Sequence, residues 1–246
     1  MKIQVINPNT TADMTAKIGA AARQVAAPGT DLVVCNPTMG PVSIEGHYDE
    51  ALSVLGVLDE VRRGEAAGMQ GYVIACFGDP GLRAARELAQ GPVVGIAEAA
   101  MHLASLVAPQ FSIVTTLSRT RGIAQHLVAT YGMERHCVSV RATDIPVLDL
   151  EHNGAGVYQQ IVQECQRAIA QDGAEVIVLG CGGMADLTAD LAAELGVPVI
   201  EGVTAAVKLV ESLGGLGLGT SKVGEFARPL PKPCQGLLEG FALGKG

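Results

Sequence analysis

Short apolar runs alternate with segments of helical periodicity along most of this chain. The apolar runs predict strands at residues 2–6, 31–34, 71–75, 92–96, 111–116, 136–142, 175–180 and 198–201. Periodicity predicts helices between most of these strands, among them residues 14–25, 49–63, 119–131 and 157–169. Nearly continuous apolar strands that alternate with helices are typical of parallel βαβ units, because helices cover both faces of such a sheet. The pattern therefore predicts an α/β fold.

The chain also looks duplicated. In each half an apolar strand leads directly into a cysteine and a glycine-containing turn, at Cys76 and at Cys181. A proline-led strand and an alanine-rich helix follow in both halves, beginning at Pro92 and at Pro198. We therefore expect two pseudo-symmetric lobes, each a four-stranded parallel sheet flanked by helices, with one thiol at the same place in each lobe.

The border between the two copies is predicted to fall within residues 97–110. We assign residues 1–97 together with 208–246 to the first lobe and residues 98–207 to the second, because the C-terminal tail is expected to pack back on the first lobe. Ligands of open parallel sheets bind beyond the carboxyl ends of the strands. The active site is accordingly expected in the cleft between the lobes.

Composition and charge exclude several classes of protein. The chain has 246 residues, of which 48% are hydrophobic and 17% are charged, so it is predicted to be globular rather than disordered. Its formal net charge of -8 leaves no basic stripe for nucleic acid. The N-terminus lacks the apolar region of a signal peptide, and no run approaches the roughly 18 apolar residues of a membrane span. We expect a soluble, cytoplasmic protein that binds neither nucleic acid nor membranes.

The six cysteines do not indicate a disulfide scaffold or a metal site, because no CxxC pair and no paired Cys/His spacing occurs. We interpret Cys35, Cys137 and Cys165 as small core residues, whereas Cys234 carries no signal. The glycine fingerprints of dinucleotide and phosphate binding are absent as well. The sequence therefore predicts neither a metal nor a nucleotide cofactor.

Cys76 and Cys181 differ from the other cysteines because the loop after a parallel strand is where functional groups are usually placed. Asp79 is suited to be the N-cap of the next helix, with Pro80 at its first position. The N-terminus of that helix would lower the pKa of the Cys76 thiol. It would also offer N–H groups around Gly78 and Asp79 to an oxyanion or to the substrate.

Further contacts to a small substrate are expected at Asn9, Ser43, Ile44, Thr116, Gly182 and Gly183. The two glycines follow the second cysteine and would let the backbone approach a ligand closely. The asparagine and the threonine follow the first and fifth strands, where they could instead cap helices. The serine and the isoleucine belong to the long loop after the second strand, which could form a lid or a wall of the site.

Five segments are specific when taken together: residues 5–10, 40–48, 75–82, 95–99 and 179–184. They resemble the Asp/Glu/hydantoin racemase superfamily, and more closely its hydantoin racemase and allantoin racemase branch. The resemblance covers essentially the whole chain. It implies an isomerase that needs no cofactor, with Cys76 and Cys181 as its two acid/base groups, and it implies a homo-oligomer.

The resemblance also bears on the substrate. Amino-acid racemases of this superfamily usually carry a Thr-His pair after the second cysteine, where this chain has Gly182 and Gly183, and no arginine that could clamp a carboxylate is evident near Cys76. A cyclic amide is therefore the expected substrate. The predicted function is racemisation of 5-monosubstituted hydantoins, with one cysteine removing the C5 proton and the other returning a proton from the opposite face. Racemisation of allantoin by the same mechanism is the runner-up. A non-catalytic small-ligand binding protein, a decarboxylase and a maleate-isomerase-like enzyme on the same scaffold remain as alternatives.

Overall fold

The computed structural model describes residues 1–150 and 155–243. Its strands are β1 (Lys2–Ile6), β2 (Asp31–Cys35), β3 (Gly71–Ile74), β4 (Val93–Gly95), β5 (Phe111–Thr115), β6 (Cys137–Ala142), β7 (Val176–Gly180) and β8 (Val199–Glu201). Its α-helices are α1 (Ala12–Val25), α2 (His47–Ala66), α3 (Leu82–Leu88), α4 (Ile96–Val107), α5 (Arg121–Thr130), α6 (Ala155–Asp172), α7 (Thr188–Leu195) and α8 (Gly202–Gly215). Short 3₁₀ segments lie at Ser118–Thr120, Val147–Leu150, Gly182–Leu187, Gly224–Phe226 and Gly236–Phe241.

The strands form two parallel sheets with the same order. The first sheet is β2-β1-β3-β4 and the second is β6-β5-β7-β8. This confirms the predicted α/β fold with two pseudo-symmetric four-stranded lobes. β3 and β7 occupy equivalent positions, each next to the first strand of its own copy. The residues that follow these two strands therefore occupy equivalent positions in the two lobes.

Burial explains why the sequence forms these elements. Every residue of β3, β5 and β7 is buried, in agreement with their continuous apolar sequences. Strand β2 lies at the edge of the first sheet and is only partly buried. The strands that carry the candidate site thus have both faces covered, which holds their carboxyl ends in place.

Helices α4 and α8 connect the lobes, because each leaves one sheet and packs on the other. Helix α4 follows β4 of the first sheet, yet Ala97, Ala100 and Ala104 pack in one cluster with Phe111 and Ile113 of the second. Helix α8 follows β8 of the second sheet, and its inner face packs with the strands of the first sheet. The two helices also contact each other. The two lobes are therefore joined through packed apolar helices.

The segment after α8 lies against the first lobe. The Thr220 hydroxyl donates to the Gly91 carbonyl at 2.8 Å, and Arg62 Nη1 donates to the Gly240 carbonyl at 2.6 Å. These contacts support grouping the C-terminal segment with the first sheet. The division into 1–97 plus 208–246 and 98–207 remains a prediction, and residues 151–154 and 244–246 of those ranges lie outside the described residues. Within the described part, no helix is both long enough and apolar enough to cross a membrane.

Candidate active site

A cavity lies where the carboxyl ends of the central strands of both sheets meet. Its walls come from the segments that follow β1, β3, β5 and β7, closed by single residues from the loop before α2, from α2 and from the 3₁₀ segment at 147–150. The lining residues are Asn7, Asn9, Met14, Ile44, Glu50, Ala75, Cys76, Phe77, Gly78, Thr115, Thr116, Thr120, Ile123, Ala124, Val147, Gly180, Cys181 and Gly182. Both candidate thiols therefore face the same cavity, one from each lobe.

The two thiols have matching backbone surroundings. Cys76 and Cys181 are both partly buried and reduced. The Gly183 N–H donates to Cys181 Sγ at 3.4 Å, and the Gly78 N–H forms the equivalent hydrogen bond with Cys76. In each lobe the donor lies two residues after the cysteine. The repeat that is visible in the sequence thus persists in the contacts of the sulfur atoms.

The charges around the two thiols do not match. Burial, opposed by the Gly78 N–H, raises the pKa of Cys76 to about 12, and Cys181, Asp79 and Glu50 contribute to the increase. Burial raises the pKa of Cys181 to about 11, where the Gly183 N–H and the Lys17 ammonium oppose the increase and Glu45 adds to it. The prediction that a helix N-terminus lowers the pKa of Cys76 is therefore wrong, because burial outweighs the hydrogen bond and the next helix begins only at Leu82.

Asp79 does not have the capping role that its sequence position suggests. Helix α3 begins three residues later, and Asp79 itself has a positive φ of 47°. Its buried carboxylate instead accepts hydrogen bonds from the Ala97 N–H at 3.0 Å and the Glu98 N–H at 2.9 Å, in the first turn of α4. The Tyr131 hydroxyl donates to the same carboxylate at 2.7 Å. The predicted N-cap of α3 is thus wrong, and Asp79 joins the Cys76 loop to α4 rather than lining the cavity.

The second lobe caps the equivalent helix in another way. Glu201, the last residue of β8, accepts hydrogen bonds from the Val203 and Thr204 N–H groups in the first turn of α8, both at 2.6 Å. Gly95 is the residue before α4, as Glu201 is before α8, and their backbones are similar, with φ/ψ of -84°/149° and -108°/151°. A Cβ on Gly95 would overlap the Asp79 carboxyl group. A carboxylate therefore caps this helix in both lobes. In the second lobe it comes from the residue directly before the helix, and in the first lobe it comes from the cysteine loop.

The sequence of this chain has clear relatives. Residues 3–210 match the model of a family described as Asp/Glu/Hydantoin racemase. The chain belongs to this family. A protein named hydantoin racemase from Rhizobium meliloti is 52% identical over 236 residues, which are 96% of this chain and 98% of that protein. Another of the same name, from Pseudomonas sp. (strain NS671), is 48% identical over 241 residues, covering 98% and 97%.

A solved structure described as allantoin racemase from Klebsiella pneumoniae is also similar. It is 57% identical, superimposes with a TM-score of 0.96, and covers 98% of this chain and 99% of its own. The fold predicted from the sequence is therefore that of a known racemase structure. Together with the family match, these relatives make this chain an isomerase of the racemase type.

The structure of this family member brings together most of the contacts predicted from its sequence. Asn9, Ile44, Gly78, Thr116 and Gly182 line the cavity with the two thiols. Ser43, Asp79 and Gly183 do not line it. Ser43 precedes a residue that does, Asp79 is turned towards α4, and Gly183 reaches the site only through the N–H that it offers to Cys181. The five lining positions remain predictions as substrate contacts.

The polar side chains of the cavity differ in how many hydrogen bonds they already form within the protein. Asn9 Oδ1 accepts from Asn7 Nδ2 at 2.8 Å and from the Thr11 N–H at 2.9 Å, so this side chain mainly orders its own loop. The Thr115 hydroxyl donates to the Gly180 carbonyl at 3.1 Å. The Thr116 hydroxyl has no hydrogen-bond partner among the described residues. Thr116 is therefore the hydroxyl that is free to bind a ligand.

Sequence reasoning missed a polar residue of the cavity, Glu50 of α2. A usable signal was present, because Glu50 stands three, seven and fourteen residues before Ser53, Val57 and Gly64, which are buried on the inner face of that helix. The apolar residues Ile123 and Val147 were missed because they reach the cavity through tertiary packing. In the described part of the chain, no three His, Cys, Asp or Glu residues are grouped so that they could hold a metal ion.

Proposed function

We propose that this protein racemises 5-monosubstituted hydantoins at C5, with Cys76 and Cys181 as its two acid/base groups. The observation that carries the proposal is that the two thiols follow equivalent strands of the two sheets and line one cavity. The names of the relatives at 48% and 52% identity agree with this substrate class. The absence of an arginine from the residues that line the cavity in the described part of the chain also favours a neutral ring over a free carboxylate.

The proposed reaction moves one proton on each side of the ring. One cysteine, as the thiolate, removes the C5 proton, and the electron pair of the C–H bond passes into the adjacent carbonyl to form an enolate. The other cysteine, as the thiol, then delivers its proton to the opposite face of C5. The product is the other enantiomer, and the two sulfurs have exchanged protonation states. The opposite enantiomer uses the same pair in reverse order.

Donors around the cavity support stabilisation of the enolate oxygen. The Gly182 N–H and the Thr116 hydroxyl are the candidate donors, because the Asp79 N–H is bonded to the Cys76 carbonyl and the Gly183 N–H to the Cys181 sulfur. Donors held in place before reaction stabilise developing charge without reorganising, and losing one such donor typically costs about 100- to 1,000-fold in kcat.

The raised thiol pKa values imply that both cysteines are protonated in the free protein at neutral pH. One of them must therefore lose a proton before it can act as base, so kcat/KM should rise with pH. Cys181 is the better candidate for that first deprotonation, because Lys17 offsets the effect of Glu45 there, whereas Asp79 and Glu50 both lie near Cys76. Positioned acid/base groups typically contribute about 100- to 10,000-fold each.

Allantoin is a second candidate substrate, because it is itself a hydantoin that carries a ureido group at C5. Two observations favour it. The solved structure at 57% identity is described as an allantoin racemase. In addition, the cavity contains the carboxylate of Glu50, which an alkyl or aryl substituent cannot bind.

The proposal is tested by following optical rotation and C5 deuterium incorporation in D2O with each pure enantiomer. We expect Cys76→Ser and Cys181→Ser each to abolish racemisation, because each removes the proton carrier for one face. Either variant could retain exchange of one enantiomer at the remaining thiol. Cys234→Ser, in the tail, is the matched control and should behave as the unmodified protein. Full racemisation by either active-site variant would contradict the two-thiol mechanism.

A further inference from the structure

Glu50 places a carboxylate at one corner of the cavity that the proposed proton transfers do not use. It belongs to the first turn of α2 and lies beside Gly78, with Cδ 3.8 Å and Oε1 3.9 Å from the position of a Cβ built on that glycine. The same built Cβ lies 3.9 Å from Ile123 Cγ2. Glu50 therefore faces the same corner as the loop that carries Cys76.

The protein leaves this carboxylate only loosely paired. His47 Nδ1 lies 3.6 Å from Oε2, and the His47 side chain is 82% exposed, whereas that of Glu50 is 26% exposed. Burial raises the pKa of Glu50, and the nearby His47 and His126 side chains oppose that increase. A partly buried acceptor that has lost water gains free energy from a ligand that supplies donors.

The cavity also has apolar walls. Phe77, Ile123 and Ala124 line it from the cysteine loop and from α5, and Ile123 lies beside Gly78 as Glu50 does. A strong acceptor among apolar walls fixes the orientation of a bound group and selects it. Thr116 and Gly182, which follow strands of the second sheet, add hydrogen-bond donors to the lining.

Charge decides which part of a hydantoin points to each lobe. The C4 carbonyl oxygen becomes negative in the transition state, so it belongs near the donors and away from the Glu50 carboxylate. With C5 between the sulfurs and the carbonyl turned towards Thr116 of the second lobe, we place the C5 substituent on the side of the first lobe, where Gly78 and Glu50 lie. That substituent is then the part of the substrate that meets the Glu50 carboxylate.

We propose that Glu50 determines the specificity of this racemase for hydantoins whose C5 substituent carries N–H donors, such as the ureido group of allantoin, over alkyl and aryl hydantoins. The inference rests on the proposed function and deepens it. A ureido group offers two kinds of N–H donor to the carboxylate, and hydrogen bonds to a charged acceptor are stronger than those between neutral groups. An alkyl substituent would bury the carboxylate without a partner.

The test compares kcat/KM for allantoin and for 5-isobutylhydantoin in the unmodified protein and in Glu50→Met. A ratio of two substrates in one variant cancels any loss of folded protein or change in thiol reactivity. We expect the allantoin-to-isobutyl ratio to fall by about 10- to 100-fold, because a site built to bind a donor rejects an analogue that lacks it. Asp49→Asn is the matched control. It removes a neighbouring first-turn charge that instead accepts from the Glu45 N–H, and it should leave the ratio unchanged.

The outcomes separate this inference from the proposed function. If the unmodified protein racemises neither substrate, the proposed function fails. If it racemises 5-isobutylhydantoin as well as allantoin, or if Glu50→Met changes both substrates by the same factor, the racemase assignment stands and the specificity role of Glu50 is refuted. Equal losses would indicate instead that the carboxylate binds a ring N–H, which all hydantoins share.

Discussion

The carboxylate that caps α4 comes from Asp79 in the cysteine loop. We expect that a glutamate at position 95, directly before the helix, can replace it. We predict that Asp79→Gly and Gly95→Glu each destabilise the protein, whereas the double variant is close to the unmodified protein in stability. Glycine is chosen for position 79 because the backbone there has a positive φ, which glycine adopts without strain. Glutamate is chosen for position 95 because Glu201 makes the same pair of hydrogen bonds in the second lobe.

The expected magnitudes follow from the contacts. Asp79→Gly removes three hydrogen bonds, two from the first turn of α4 and one from Tyr131. At about 1 kcal/mol each, less about 1 kcal/mol for relieved backbone strain, the free energy of unfolding should fall by about 2 kcal/mol. Gly95→Glu alone forces a side chain into the space of a buried carboxyl group, which should cost about 3 kcal/mol. In the double variant the new glutamate occupies the vacated space.

The assay is urea unfolding followed by circular dichroism, with all four proteins compared at the same pH. Independent effects would add to a loss of about 5 kcal/mol, whereas compensation leaves the double variant within about 1–2 kcal/mol of the unmodified protein. A double variant as unstable as the sum of the two single variants would refute the equivalence of the two caps. The cap that Glu201 forms on α8 would then be a feature of the second lobe alone.

Two further predictions concern charge. Burial raises the pKa of Asp79 from 3.8 to about 7, so the folded state binds an extra proton between these values. Its contribution to stability is therefore complete below about pH 4 and is lost as the pH rises through 7, with a slope of up to about 1.4 kcal/mol per pH unit. Asp79→Gly should flatten the measured dependence of the unfolding free energy on pH. An unchanged slope would contradict the raised pKa of Asp79. Lys17→Met should raise the pKa of the Cys181 thiol and move the rising limb of kcat/KM to higher pH, because it removes the cation beside that sulfur. Lys208→Met, on the exposed face of α8, is the control, and an identical shift in both variants would contradict the assignment.

Local sequence patterns were sufficient for most of the fold. The first predicted strand, residues 2–6, coincides with β1, and the predicted helix at 157–169 lies within α6 (Ala155–Asp172). Such elements could be predicted because strands buried on both faces and amphipathic helices leave short-range periodicities in the sequence. The repeat also indicated that the strands before Cys76 and Cys181 are equivalent, as the two sheets confirm.

The sequence by itself determined the α/β class, the duplication and the two thiols at strand ends, because each depends on neighbours within a few positions of the chain. Only the tertiary structure decided what surrounds those thiols. Asp79 caps a helix that begins 17 residues later rather than the one that follows it, and Gly95 leaves the space that makes this possible. Glu50 reaches the cavity from a separate helix. Burial is the main cause of the raised thiol pKa values, and it depends on contacts between distant parts of the chain, which leave no pattern of fixed spacing in a single sequence.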